Sequence, residues 1–298
     1  MGKAAFNRIL AAGNEQHSDI GPIIIAQSRT TISFLLLAPV LLFTRGWKGI
    51  RLPLRSVTGC ALMGVLGIAA SNYFYYFAIA RTSVATAIIV QYTAPIWVLV
   101  YMALRGSLRP TMPRIGAVSL AFLGSAFALG VFAFLGQSPF VYAVGLKLNV
   151  AGVLAALCAA FSFSFYSIYG KMLIERHDRW QVFIHALFAC SVFWMLVNPP
   201  WKIVAASYSW TQWGFLFIFS LVSMLFPFAC FLAGLQHLDA TEAIVTSCLE
   251  PVLAILIAAM FVHEMPTRSQ IFGIALVLIG TLVVQFPIRR PPEIAHEP

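Results

Sequence analysis

Charge is what this chain has least of. Ten Asp and Glu and nineteen Lys and Arg stand among its 298 residues, so 10% of positions are charged, where a soluble domain has roughly a quarter. A soluble protein of this size would lack the polar side chains to cover its surface. With 60% apolar residues and a mean hydropathy of +0.88, the composition is that of a protein facing lipid. Paired cysteines are missing too: Cys60, Cys158, Cys190, Cys230 and Cys248 are scattered through apolar runs, and they read as small buried hydrophobes. Residues 1–20 hold Lys3, Arg8, Glu15 and Asp19 with no continuous apolar core, so no removable signal peptide is expected. Catalytic signatures are equally scarce. "HEMPT" at 263–267 begins like a zinc-binding H-E-x-x-H, but Thr267 stands where the second histidine is required. No nucleophile elbow and no phosphate-binding loop occur. Neither an enzyme, nor a cofactor or metal, nor ATP-driven transport is expected.

What the chain does have is long apolar runs. A span needs about 20 mostly apolar residues, and suitable runs lie near 21–43, 57–79, 84–104, 115–135, 149–173, 182–204, 212–235, 241–262 and 269–288. The basic residues fall between these runs and need no nucleic-acid partner. Assigned to alternate ends, Arg45, Lys48, Arg51, Arg55, Arg105, Arg109, Arg114, Lys171, Arg176, Arg179, Arg289 and Arg290 share one side. Only Arg81, Lys147, Lys202 and Arg268 take the other. The bias makes the first side cytoplasmic and puts the C-terminus there.

An internal repeat is legible. Shifted by 156 residues, Pro95 falls on Pro251, Pro110 on Pro266, Thr111 on Thr267 and Gly124 on Gly280, with no gap. Chance apolar matching does not keep prolines and a glycine in register. The copies lie five spans apart, so they cross the bilayer in opposite directions, the architecture of secondary transporters with a midplane site between halves. This predicts an all-α polytopic protein of ten transmembrane helices in two inverted five-helix repeats, 1–135 and 149–288. A linker at 136–148 and a cytoplasmic tail at 289–298 complete the division. The tenth span falls on "AAFNRILAAG" at 4–13, which is short, as if the first helix were truncated or the chain began upstream.

With that repeat, an early arginine in "AQSRTTISF" and the closing "LEPVLAILIAAMFVHEMPTRSQIFGIALVLIGTLVV", the whole chain resembles the EamA-type carriers of the drug/metabolite transporter superfamily. Its aromatic-rich third span is similar to that of the bacterial aromatic amino-acid exporter of that group. The resemblance implies an inner-membrane exporter of small metabolites, with four helices of each half lining a central cavity.

Of the ten acidic residues, Glu15, Asp19, Glu175, Asp178, Asp239, Glu242, Glu264, Glu293 and Glu297 lie in loops or ends, and Glu250 alone lies within a span. It sits about 13 Å deep at 1.5 Å per residue, where a carboxylate is costly unless protonated, paired or facing water. It is a candidate for reading a substrate ammonium or carrying a coupling proton; bonding to a backbone carbonyl freed by Pro251 is the structural alternative. Its repeat partner is Ala94, so the fold does not require a charge there. Arg29 pairs with Glu250, binds a substrate carboxylate, or braces helices. Asn72 and Tyr76 in "SNYFYYFAIA" are candidate cavity residues, against an interfacial aromatic belt. Gln91, Tyr92 and Trp97 flank Pro95, and Ser247 precedes Glu250, with Pro95 and Pro251 as candidate hinges. Tyr166 and Tyr169 share a face that lines the cavity or packs on a neighbouring helix. The expected function is export of small amphipathic metabolites, aromatic or other apolar amino acids above all, with protons as an optional coupling ion. A multidrug organic-cation exporter and a non-transporting scaffold are the alternatives.

Overall fold

The computed structural model describes residues 22–82, 84–106, 111–128, 149–205, 208–257, 260 and 267–285. All regular structure among them is helical. Helix α1 is Pro22–Ile50. Helix α2 (Leu54–Leu62) runs through a π-helical segment, Met63–Ala69, into α3 (Ala70–Arg81). There follow α4 (Val84–Gln91), α5 (Ala94–Leu104), α6 (Met112–Ala128), α7 (Val150–Ile174), α8 (Arg179–Val197) and the short α9 (Pro200–Ala205). Helix α10 (Trp210–Ser220) passes through a second π-helical segment, Leu221–Leu225, into α11 (Phe226–Leu235). The last helices are α12 (Ala240–Ser247), α13 (Glu250–Ile257) and α14 (Arg268–Gln285).

Six stretches are long and apolar enough to cross a bilayer: Ile23–Ile50, Leu54–Arg81, Thr86–Leu104, Val150–Ile174, Arg179–Val197 and Trp210–Leu235. Two more, Met112–Ala128 and Arg268–Val284, are apolar but shorter. This is a polytopic membrane protein. The span expected at 241–262 is broken into α12 and α13 before Pro251. The short apolar stretch at 4–13, and Glu15, Asp19, Glu264, Glu293 and Glu297, lie outside the described residues.

The 156-residue offset reaches beyond the sequence matches. Helices α10, α11, α12, α13 and α14 each begin 156 residues after α2, α3, α4, α5 and α6 respectively, and the two π-helical segments overlap in the same register. Contacts follow it as well. Helices α6 and α14 cross antiparallel, and a Cβ on Gly124 would meet the amide nitrogen of Val277 at 2.7 Å and the carbonyl of Gly273 at 2.8 Å. On Gly280 it would meet the amide nitrogen of Ala121 at 3.1 Å and the carbonyl of Ala117 at 2.9 Å, the same two contacts with the helices exchanged. In lipid, apolar side chains gain nothing by leaving one apolar phase for another, so helices associate by close packing, and small residues permit it.

A larger core joins α1, α2, α3, α7, α8 and α11 around Met63, Tyr166, Phe183, Leu187, Trp194, Met224 and Leu232. Gly64 and Gly67 make it possible: Gly64 lies against the backbone of Ala186, and Gly67 against Tyr166. Of the cysteines, Cys60, Cys190 and Cys248 are buried as expected, but Cys158 and Cys230 are exposed. On helices apolar on every side, the outward face is as apolar as the core face, and a small thiol suits either.

The charged ends gather. Arg45 pairs with Asp178 at 2.6 Å, Ser56 hydrogen-bonds His177 at 2.7 Å, and Arg179 donates to Gln236 at 2.7 Å. Arg114 on α6 pairs with Asp239 at 3.1 Å and Glu242 at 3.8 Å. The loop acids thus have structural work: Asp178 and Asp239 also cap α8 and α12, and Glu242 closes a capping box with Asp239. Of the basic residues grouped together by charge alternation, Arg45, Arg105, Arg114, Lys171 and Arg179 lie in contacts at one end of the bundle; Arg109, Arg289 and Arg290 lie outside the described residues.

Candidate functional site

Two broken helices face each other across the offset. Helix α4 ends at Gln91 and α5 begins at Ala94; α12 ends at Ser247 and α13 begins at Glu250. Each break precedes a proline, Pro95 and Pro251, in the first turn of the following helix, where a missing N–H is tolerated because it has no intrahelical acceptor. The chain tightens at both: the amide of Thr93 donates to Val90 and that of Leu249 to Thr246, three residues back. Thr93 donates its hydroxyl to the Val90 carbonyl at 2.7 Å and accepts from Trp97 Nε1 at 3.1 Å, while Ser164 on α7 donates to the carbonyl of Ala94 at 3.1 Å. The first break is therefore braced, and Trp97 belongs to the brace, with its ring 4.5 Å from Phe161.

From opposite sides of this junction, Tyr92 donates its hydroxyl to Glu250 Oε2 at 3.3 Å. Glu250 is exposed, and Tyr75, Tyr76, Tyr92 and Arg29 all stand within electrostatic reach of it. A carboxylate so placed has three tyrosine hydroxyls and a guanidinium around it in a bundle whose outside is apolar.

Arg29 forms the other pole. It is 6% exposed on α1. Its Nη1 donates to Asn72 Oδ1 at 2.5 Å and to the Tyr76 hydroxyl at 2.6 Å, and its Nη2 donates to the carbonyl of Ser223. Asn72 and Tyr76 are four residues apart and share one face of α3; the Asn72 amide is fixed by donating to the Ile68 carbonyl at 2.8 Å. Ser223 lies in the second π-helical segment, whose widened turn presents carbonyls outside the regular ladder. The rings of Tyr76 and Phe219 lie 5.3 and 5.4 Å from the guanidinium carbon. Tyr75, in ring contact with Tyr76 at 5.4 Å, links this group to Glu250. Arg29 and Glu250 approach, but among the described residues no ion pair joins them.

The other sequence candidates divide. Gln91 is half-buried at the end of α4 beside the first break. Ser247 spends its hydroxyl on the Ala243 carbonyl at 3.1 Å. Tyr166 is buried against Phe163, Phe228 and Phe231, its hydroxyl without an acceptor, and Tyr169 stacks on Phe165 at 5.2 Å. Both tyrosines pack in the larger core, the packing alternative, and no described contact brings them to Glu250. Tyr73 packs on Trp194 at 6.1 Å. Sequence reasoning placed Tyr75 on the stripe of Asn72 and Tyr76 without singling it out, and it missed the Ser223 carbonyl, which carries no residue signal. A groove of about 390 Å³ between α2 and α8, lined by Val57, Ala61, Val65, Phe188, Val192 and Leu196, is apolar and separate from this cluster.

The profile of the EamA-like transporter family matches residues 10–139 and 150–286. The chain belongs to the EamA-like transporter family. It is 30% identical over 158 residues to the uncharacterized transporter YwfM of Bacillus subtilis, an alignment spanning 51% of each chain. It is 24% identical to an uncharacterized transporter of Archaeoglobus fulgidus over 78% of this chain and 76% of the relative. It is likewise 24% identical to the threonine/homoserine exporter RhtA of Salmonella typhimurium, over 96% of this chain and 90% of the relative. A crystal structure of 20% identity superposes with a TM-score of 0.69, covering 97% of this chain and 94% of that one, and shares its fold. These relatives support the transporter family and not the aromatic amino-acid exporter that the third span resembles; in that span Tyr73 is used for packing, and Asn72 and Tyr76 hold Arg29.

Proposed function

We propose that this EamA-family protein is a secondary exporter of amino acids, aromatic or other apolar ones first, across the bacterial inner membrane by alternating access. Its two inverted five-helix repeats, 1–135 and 149–288, enclose the site, and the charged end of the bundle and the C-terminus are cytoplasmic. The shared helix starts and exchanged glycine contacts support the repeat reading. The observation that carries the function is the Tyr92–Glu250 hydrogen bond across two proline-linked helix breaks. Irregular backbone at membrane depth is stable only where it is covered by protein or lines a wet cavity, and the one carboxylate there is aimed at a space lined by hydroxyls. An ammonium group satisfies that carboxylate; a proton is the coupling ion that would neutralise it between cycles. The full-length relative named as a threonine/homoserine exporter supports an amino-acid substrate.

A second reading follows from the same residues: a carboxylate among Tyr75, Tyr76 and Tyr92 also suits an organic cation. Counterflow of labelled phenylalanine, tryptophan, threonine and a quaternary ammonium dye into preloaded proteoliposomes separates the two. Amino-acid flux in the parent, lost in Glu250→Gln, is the expected result. Flux of the dye alone selects the cation exporter, and no flux of any compound favours a scaffold.

A further inference from the structure

The guanidinium of Arg29 is used unevenly. Its five N–H groups form a rigid planar fork. Nη1 serves Asn72 and Tyr76, and Nη2 serves the Ser223 carbonyl. Nε, in a side chain more than nine-tenths buried, meets no acceptor among the described residues. Nε and Nη2 lie along the same edge of the fork, and that edge receives a carboxylate through two parallel hydrogen bonds. What the described residues leave unfilled is the Nε proton, beside an Nη2 that has a second proton besides the one given to Ser223.

Glu250 is the carboxylate available for the Nε–Nη2 edge, yet it turns instead to Tyr92 and is exposed. The fold itself does not demand the cluster. At the positions 156 residues from Arg29, Asn72, Tyr76 and Glu250, the other half carries His185, Phe228, Leu232 and Ala94. His185 bonds its own helix, Nδ1 to the Gln181 carbonyl at 2.8 Å, and lines the outer apolar groove. The same backbone thus stands without this constellation.

We propose that the Nε–Nη2 edge of Arg29 is the seat for the substrate α-carboxylate and that Glu250, with Tyr92, is the seat for its α-ammonium. The carrier then recognises zwitterionic α-amino acids by both ends, and Tyr75, between the poles, meets the side of the bound molecule. The assignment rests on the export reading and narrows its substrate class. The edge is shielded from water in this conformation, so the seat is occluded here and opens when the π-helical turn carrying Ser223 shifts. Asn72 and Tyr76 are positioning residues: they hold the fork so that its free edge, and not its tip, is presented.

The test is competition against phenylalanine counterflow in proteoliposomes of the full chain by phenylalanine, phenylalaninamide, phenethylamine and 3-phenylpropionate. In the parent, phenylalanine is expected to compete about tenfold or more better than the two compounds lacking the carboxylate, the discrimination of one charge-assisted pair. Arg29→Lys keeps the charge but loses the fork, and is expected to flatten that ratio. In the parent, 3-phenylpropionate, which lacks the ammonium, is likewise expected to compete about tenfold or more worse than phenylalanine. Equal competition by phenethylamine in the parent overturns the carboxylate seat while leaving transport intact, and so does an unchanged ratio in Arg29→Lys. Should Arg29→Lys fail to fold, the parent series alone decides. Absence of counterflow for every amino acid removes the export reading and this assignment together.

Discussion

The crossing of α6 and α14 makes a graded prediction that a single methyl group tests. At Gly273 an added Cβ would collide with the backbone nitrogen of Ala128 and stand 2.6 Å from the Gly124 carbonyl; at Gly124 its nearest neighbours are at 2.7 and 2.8 Å. These are backbone atoms of a facing helix, so relief requires the helices to separate and to lose close packing along the crossing. Overpacking of that kind costs about 1–3 kcal/mol. At Gly280 the nearest atom is the Ala117 carbonyl at 2.9 Å, with the next at 3.1 Å, so a smaller backbone shift suffices. Gly116 lies on α6 with nothing within 4 Å, and there alanine only removes backbone freedom from the unfolded chain, a gain of about 0.5–1 kcal/mol. Equilibrium unfolding in mixed micelles should rank the variants Gly273→Ala and Gly124→Ala as the least stable, then Gly280→Ala, with Gly116→Ala above the parent. If Gly124→Ala and Gly273→Ala unfold with the parent, the close crossing is not what joins these helices, and the argument from small residues fails.

Three further outcomes follow from single contacts. Tyr92→Phe removes the hydroxyl that donates to Glu250 at 3.3 Å; counterflow should fall about three- to tenfold, the net worth of one such bond, and an unchanged rate would detach Tyr92 from the site. Tyr166→Phe deletes a buried hydroxyl that has no acceptor, so unfolding should show a gain of up to about 1 kcal/mol; a loss would reveal a partner for that hydroxyl. Arg114→Gln breaks the pairs with Asp239 and Glu242, whose side chains are 18–23% exposed. The cost should be no more than about 1 kcal/mol and should vanish near 1 M salt, where screening acts over about 3 Å; a salt-independent loss would point to packing instead.

How much of this was legible beforehand depended on whether a residue type constrains the backbone whatever surrounds it. Pro95 and Pro251 do, and the helix breaks fall just before them. Arg29, Asn72 and Glu250 were legible because a polar group in an apolar run must find a partner or water, and each has one. Tyr166 and Tyr169 were read as candidate cavity residues because α7 is apolar nearly all round, so nothing in the pattern separates a face toward lipid from one toward a core or a cavity. Cys158 and Cys230 went astray for the same reason. The π-helical turns left no trace at all. A π-turn is a change of hydrogen-bond partner and not of residue type, and so the Ser223 carbonyl, an anchor of Arg29, was invisible until the backbone was seen.

Helices α2–α6 and α10–α14 begin in one register and differ in charge, and on the export reading the difference has a consequence. A carrier of two identical inverted halves would hold its two open faces at equal energy, because exchanging the halves exchanges the faces. Any preference must come from side chains that break the repeat. Arg114 is such a residue: the matching position carries Gln270, and Glu242 is matched by Thr86. The ion pairs of Arg114 with Asp239 and Glu242 therefore tie one end of the bundle, and among the described residues no matching charged pair ties the other. Glu250 and Arg29 break the repeat within the bundle, where Ala94 and His185 take their places. The resting bias then lies with the end pairs and recognition with the poles, two separable functions on one duplicated backbone.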